Sequence, residues 1–66
     1  MTVTVNGRPQ DVAQGETVAS LLETLGLSAP YALVERNGEP VERARYGETA
    51  LAEGDSLVVA RPVAGG

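Results

Sequence analysis

The residues best suited to chemistry are the last two, Gly65-Gly66. Glycine has no Cβ and the widest φ/ψ range of any residue, so two in succession let a bare carboxylate thread a narrow channel into another protein's active site. The expectation is that the carboxylate of Gly66 is the working group and that Val63, Ala64 and Gly65 form the arm that carries it. The competing reading is an end that simply frays. At average glycine usage of roughly 7%, chance places such a pair at a given position about 0.5% of the time, and ~1.5% of the time in a chain this rich in glycine. The functional reading is preferred on that count.

Elsewhere the search for catalytic chemistry comes back nearly empty. There is no His to act as general base and no Cys to act as nucleophile, and Ser20, Ser28 and Ser56 have no activating partner in the sequence pattern. Asp11, Glu16, Glu23 and Glu53 could form a carboxylate pair only through folding, and they read as solvated surface groups. The nine acidic residues are scattered, which offers no clustered ligand set for a hard cation, so no metal is expected. Neither glycine motif for binding phosphate occurs, and Gly7, Gly15, Gly26, Gly38 and Gly54 each fall at a turn or cap. Tyr31 and Tyr46 are the only aromatics, too few to stack bases, and are expected in core or rim packing. The chain is expected not to be an enzyme and to hold no cofactor.

The composition narrows the remaining classes. A chain of 66 residues is one small domain that buries roughly 60% of its unfolded surface, so a deep enclosed site is not expected. Without Cys or His there is neither disulfide nor zinc to staple it, and an apolar core must suffice. Nine acidic residues against five basic ones give a net charge of −4, which repels phosphate backbones and argues against nucleic acid. All five basic residues are arginines, so the chain has no ε-amine to accept an isopeptide bond. No apolar run has the length of a membrane span, and no charged start with an apolar stretch precedes the first strand. A cytoplasmic protein, monomeric when free and off the membrane, is the expectation.

Several elements must position the arm. Thr2-Val3-Thr4-Val5 alternates polar and apolar, and Asn6-Gly7 supplies the positive φ angles of a type I′ turn, so a hairpin opens the chain. Its return strand runs from Arg8 to Ala13, with Pro9 at an edge or beside the turn. Thr17 is a candidate N-cap, and Val18, Leu21, Leu22 and Leu25 make one apolar stripe of a short helix that Gly26 ends. Tyr31 to Arg36 is strand-like, Asn37-Gly38 is a second hairpin turn, and a brief strand from Glu39 to Glu42 is marked as an edge by Pro40. The stretch Arg43 to Thr49 is irregular, and Glu53-Gly54-Asp55 is a turn delivering Ser56 to Arg61, the last strand. That strand is apolar on both faces, which suits the interior of a sheet. Pro62 should release the chain, giving a domain over 1–62 and a flexible tail over 63–66. One helix on one sheet makes an α+β domain.

The strand Thr2 to Val5 with its Asn6-Gly7 turn, the helix Thr17 to Leu25, the Asn37-Gly38 turn, the segment Thr49 to Asp55 and the ending Val63-Ala64-Gly65-Gly66 together resemble the sulfur carriers of thiamine biosynthesis, the ThiS family. The likeness spans essentially the whole chain, and Pro62 departs from it. It implies the ubiquitin-like β-grasp fold, a four- to five-stranded mixed sheet with one main helix on one face. It further implies that an adenylating, E1-like enzyme activates Gly66 with ATP, that a desulfurase system supplies sulfur to form a thiocarboxylate, and that a thiazole synthase receives it. ATP and the sulfur donor then belong to the partner enzymes. The same scaffold could serve molybdopterin or tRNA thiolation, or modify proteins as ubiquitin does. Specificity would rest on docking, through the sheet face opposite the helix, where Val58 and Ala60 are expected.

Overall fold

The computed structural model describes residues 1–27 and 31–61. β1 (Thr2–Val5) and β2 (Arg8–Asp11) pair antiparallel, with Val5 opposite Arg8 and Thr2 opposite Asp11. Asn6 and Gly7 between them have φ of 52° and 83°, the type I′ geometry whose twist matches that of the flanking strands. Asn37 and Gly38, with φ of 53° and 86°, repeat it between β3 (Leu33–Arg36) and β4 (Glu39–Pro40). Both hairpins therefore arise where the two Asn-Gly pairs predict them.

The helix α1 (Val18–Thr24) lies between the hairpins and is capped at both ends. Its first turn leaves N–H groups without partners inside the helix, and the later part of the chain supplies them. Val18 N–H donates to Thr49 O at 3.0 Å and Ala19 N–H to Tyr46 O at 2.9 Å. Ser20 N–H donates to Thr17 Oγ1 at 3.2 Å while Thr17 N–H donates to Ser20 Oγ at 2.9 Å, a reciprocal box with Ser where Glu or Gln is usual. At the other end Gly26 has φ of 74°. Gly26 N–H donates to Glu23 O at 3.0 Å and Leu27 N–H to Leu22 O at 2.9 Å, the Schellman pattern that stops a helix at glycine.

The five strands lie in the order β2-β1-β5-β3-β4, with β5 (Ser56–Ala60) at the centre. It runs parallel to β1 and antiparallel to β3, giving the mixed sheet of a β-grasp fold. Pro9 and Pro40 fall on the two edge strands, where a missing N–H is harmless. One sheet face is covered by α1. Val18, Leu21 and Leu22 join Val3, Val34 and Leu57 in the buried core, with Val5 and Val59 partly buried against it. Tyr46 closes the core with its hydroxyl donating to Ala32 O at 2.7 Å, the partner a buried phenol requires. Among the described residues no helix is long and apolar enough to cross a membrane.

Strand limits differ from expectation in a consistent way. β2 ends at Asp11 and not Ala13, although Val12 N–H still donates to Met1 O at 2.8 Å. β3 begins at Leu33 and not Tyr31, and β5 ends at Ala60 and not Arg61, because Leu33 and Ala60 are the terminal pair of their ladder. β4 stops at Pro40 and not Glu42, since the chain turns into a 3₁₀ helix over Arg43–Arg45 within the stretch read as irregular. Tyr31, expected to pack, is 66% exposed. Pro30, Pro62 and the tail 63–66 lie outside the described residues.

Candidate docking face and the base of the C-terminal arm

Strand alternation sends the side chains of β5 to two different environments. Leu57 is buried under α1, whereas Val58 is 50% exposed. The strand pairing sets Leu33 opposite Ala60, Glu35 opposite Val58 and Pro40 opposite Glu35, so these five residues share the face turned away from the helix. On the other half of the same face stand Ser56, Thr2, Thr4, Pro9 and Asp11. The open face is thus divided, mostly polar over β1 and β2 and mostly apolar over β5, β3 and β4. A groove of about 560 Å³ runs along the apolar half, lined by Leu33, Glu35, Val41, Arg43, Val58 and Ala60.

The two ends of β5 are held by the two hairpin asparagines. Asn6 Nδ2 donates to Val59 O at 3.0 Å, and Val59 N–H donates to Asn6 Oδ1 at 2.9 Å. Asn37 holds the start of the same strand. Its Oδ1 accepts from Ser56 N–H at 2.9 Å, and its Nδ2 donates to Asp55 Oδ1 at 3.1 Å. Asp55 is 6% exposed, a burial that pushes its pKa up. The Ala52 N–H, the Asn37 amide and the Arg36 guanidinium outweigh that push and hold it below its ordinary value of 3.8.

Val58 and Ala60 are brought together on the open face, with Arg61 the last described residue beyond them. Gly66 and the arm Val63, Ala64 and Gly65 lie outside the described residues. Three of the four carboxylates considered for catalysis accept hydrogen bonds from neighbouring donors. Glu53 Oε1 accepts from Thr2 N–H at 3.0 Å, Asp11 Oδ1 from Thr2 Oγ1 at 3.3 Å, and Glu16 Oε2 from Ser20 Oγ at 3.2 Å. Ser20 is occupied in the helix cap. Among the described residues no three His, Cys, Asp or Glu side chains are grouped to hold a metal ion. Sequence reasoning missed Asp55 as a buried polar hub and the side chains of Asn6 and Asn37 as strand clamps. The available signal was the choice of Asn at both turns, since Asn offers both a donor and an acceptor while tolerating positive φ.

The ThiS family profile matches residues 3–66. The chain belongs to the ThiS family. Among solved structures it is similar to the thiamine biosynthesis protein ThiS of Geobacter metallireducens, with 38% identity, a TM-score of 0.83 and full coverage of both chains in the crystal structure. The solution structure of a Geobacter metallireducens thiamine biosynthesis protein gives a TM-score of 0.82 at 38% identity, covering 100% of this chain and 88% of that one. A ubiquitin-like protein of the archaeon Caldiarchaeum subterraneum shares the fold, with a TM-score of 0.54 at 19% identity over 98% of this chain and 100% of that one. Among curated proteins, this ThiS-family chain is 36% identical to a thiazole synthase of Magnetococcus marinus over its whole length. A thiazole synthase of Paramagnetospirillum magneticum matches it at 33% over the same span. The chain spans about a fifth (20%) of the length of each of these two relatives.

Proposed function

We propose that this chain is a sulfur carrier of thiamine biosynthesis, with the carboxylate of Gly66 as the group that bears sulfur. The family match running from residue 3 through Gly66 carries this reading. A carboxylate is a poor electrophile, so a carboxylate oxygen first attacks the α-phosphorus of ATP on an E1-like enzyme, and pyrophosphate leaves. The terminal sulfur of a persulfide, supplied by a desulfurase system, attacks the acyl carbon of that adenylate, and AMP departs with the bonding pair. A thiol then attacks the donor's sulfur in the resulting acyl disulfide, the S–S bond breaks as a new disulfide forms between thiol and donor, and the thiocarboxylate on Gly66 leaves with the bonding pair. The carrier is a cosubstrate in these steps, and the partner enzymes perform the catalysis.

Thiazole synthase is the recipient that the relatives favour, because two proteins of that name contain a segment similar to all of this chain. The apolar half of the open face, with Val58 and Ala60, is the docking surface in this reading, and it lies on the strand that leads to the arm. The test is an intact mass before and after incubation with the activating enzyme, ATP and a persulfide donor. One oxygen should be replaced by sulfur only when ATP is present, and fragmentation should map the change to Gly66. An unchanged mass together with no ATP–pyrophosphate exchange would overturn the proposal.

A further inference from the structure

The parallel ladder between β1 and β5 pairs Thr4 with Ser56 and Val5 with Leu57. It then runs out of strand, because β1 turns away at Asn6-Gly7 into the hairpin. Asn6 N–H still donates to Leu57 O at 2.8 Å. The next main-chain groups on that side of β5 belong to Val59, and no residue of β1 is left to meet them. The Asn6 carboxamide takes that place, donating to Val59 O at 3.0 Å and accepting from Val59 N–H at 2.9 Å. A primary amide has the donor and acceptor of a peptide group side by side, so one side chain supplies a full rung. The positive φ of 52° at Asn6 is one that Asn adopts more readily than most residues. On the opposite side of β5, Ala60 is paired with Leu33, the first residue of β3.

We propose that Asn6 is a positioning residue for the reactive end: its side-chain rung holds the last stretch of β5 and so fixes the base from which the arm reaches a partner's site. This rests on the sulfur-carrier reading. Val59 stands seven residues before Gly66, and an extended chain of that length reaches ~24 Å. Without the rung the last residues of β5 are held on one side only, by the ladder to β3, so the base of the arm must be ordered when a partner binds and that cost appears in KM. The rung is small in stability and large in consequence for where Gly66 can be delivered.

The test pairs Asn6→Gly with Asn37→Gly. Each keeps a turn compatible with positive φ and removes one carboxamide clamp, the first at the end of β5 nearest the arm and the second at its start. In Asn6→Gly, hydrogen-exchange protection of Val59 N–H should fall at least tenfold relative to that of Leu21 N–H in α1. In ATP–pyrophosphate exchange with the host's carrier-adenylating enzyme, at a temperature where both variants are folded, KM for Asn6→Gly should rise several-fold with kcat retained. Asn6→Asp, which keeps the acceptor and loses the donor, should fall between. Asn37→Gly should leave KM unchanged. Unaltered Val59 protection in Asn6→Gly, or equal KM changes in both glycine variants, would overturn the role. Should the wild-type chain support no exchange at all, the sulfur-carrier reading fails instead. The Val59 protection then decides by itself whether Asn6 holds the end of the strand.

Discussion

Arg36 Nε donates to Asp55 Oδ2 at 2.8 Å, joining the end of β3 to the residue that precedes β5. The Asp55 side chain is 7% exposed and that of Arg36 34%. The same Asp55 oxygen accepts from Ala52 N–H at 2.8 Å, and its partner oxygen from Asn37 Nδ2 at 3.1 Å. One carboxylate therefore locks the 52–55 turn, the second hairpin turn and the last residue of β3 into a single arrangement. A carboxylate buried without these donors would be strongly unfavourable.

Acid should loosen this lock. Burial raises the pKa of Asp55, but the three donors lower it by more, so the folded value lies below 3.8. A group depressed on folding stabilises the native state fully above its unfolded pKa and loses that contribution as pH falls through the folded value. Thermal melts should be insensitive to Asp55 ionisation near neutrality and should fall with pH below about 4. In Asp55→Ala that acid slope should flatten. At neutral pH the variant should lose about 1–3 kcal/mol, because buried donors are left unpaired. A variant that matches wild type at every pH would show that the hub does not contribute to stability.

Leu22 is fully buried, at 0% exposure, in the core between α1 and the sheet. Leu22→Ala should cost about 2–5 kcal/mol through lost transfer energy and the cavity left behind. Against a total stability near 5 kcal/mol, a reasonable value for so small a domain, much of the population would unfold. Urea denaturation measures this directly, and a loss under 1 kcal/mol would mean that the site collapses around the cavity.

Val58→Glu separates docking from folding. Half of Val58 is already in water, so a carboxylate there stays solvated in the free protein and the melting temperature should change little. On a desolvated contact the same charge has no partner, and binding to the activating enzyme should weaken about a hundredfold, roughly 3 kcal/mol. Calorimetry of the free variant and of its titration into the enzyme reads both quantities. Wild-type affinity would move the docking surface away from this face.

Deleting Gly66 should abolish adenylation without altering the melt of residues 1–61, since the carboxylate no longer reaches the nucleotide. Gly65→Val should sharply reduce sulfur loading, because a β-branched side chain must enter a passage suited to glycine. Pyrophosphate exchange and intact mass are the respective readouts. Normal loading of Gly65→Val would remove the narrow-channel argument while leaving Gly66 as the acceptor of sulfur.

Local features were legible in the sequence because their causes are local. Asn6-Gly7 and Asn37-Gly38 demanded positive φ, Thr17 and Gly26 bracketed the helix, and the stripe Val18, Leu21, Leu22 and Leu25 named its inward face, with Leu25 only partly buried at the C-cap. Pro9 and Pro40 marked edges because a strand without an N–H cannot be paired on both sides. Two apolar faces on residues 57–60 placed that strand inside the sheet, though only the Leu57 face is covered by the helix. The tertiary structure alone decided what depends on distant residues meeting. It set β5 between β1 and β3, and so put Leu33, Pro40, Val58 and Ala60 on one half of one face. It turned Asp55 from a turn residue into a buried hub by bringing Arg36 and Asn37 to it. It also set Asn6 against Val59, 53 positions along the chain. A turn propensity reports the backbone angles of one residue, whereas a free carboxamide or carboxylate reports nothing of its partner until the sheet order has closed the chain between them.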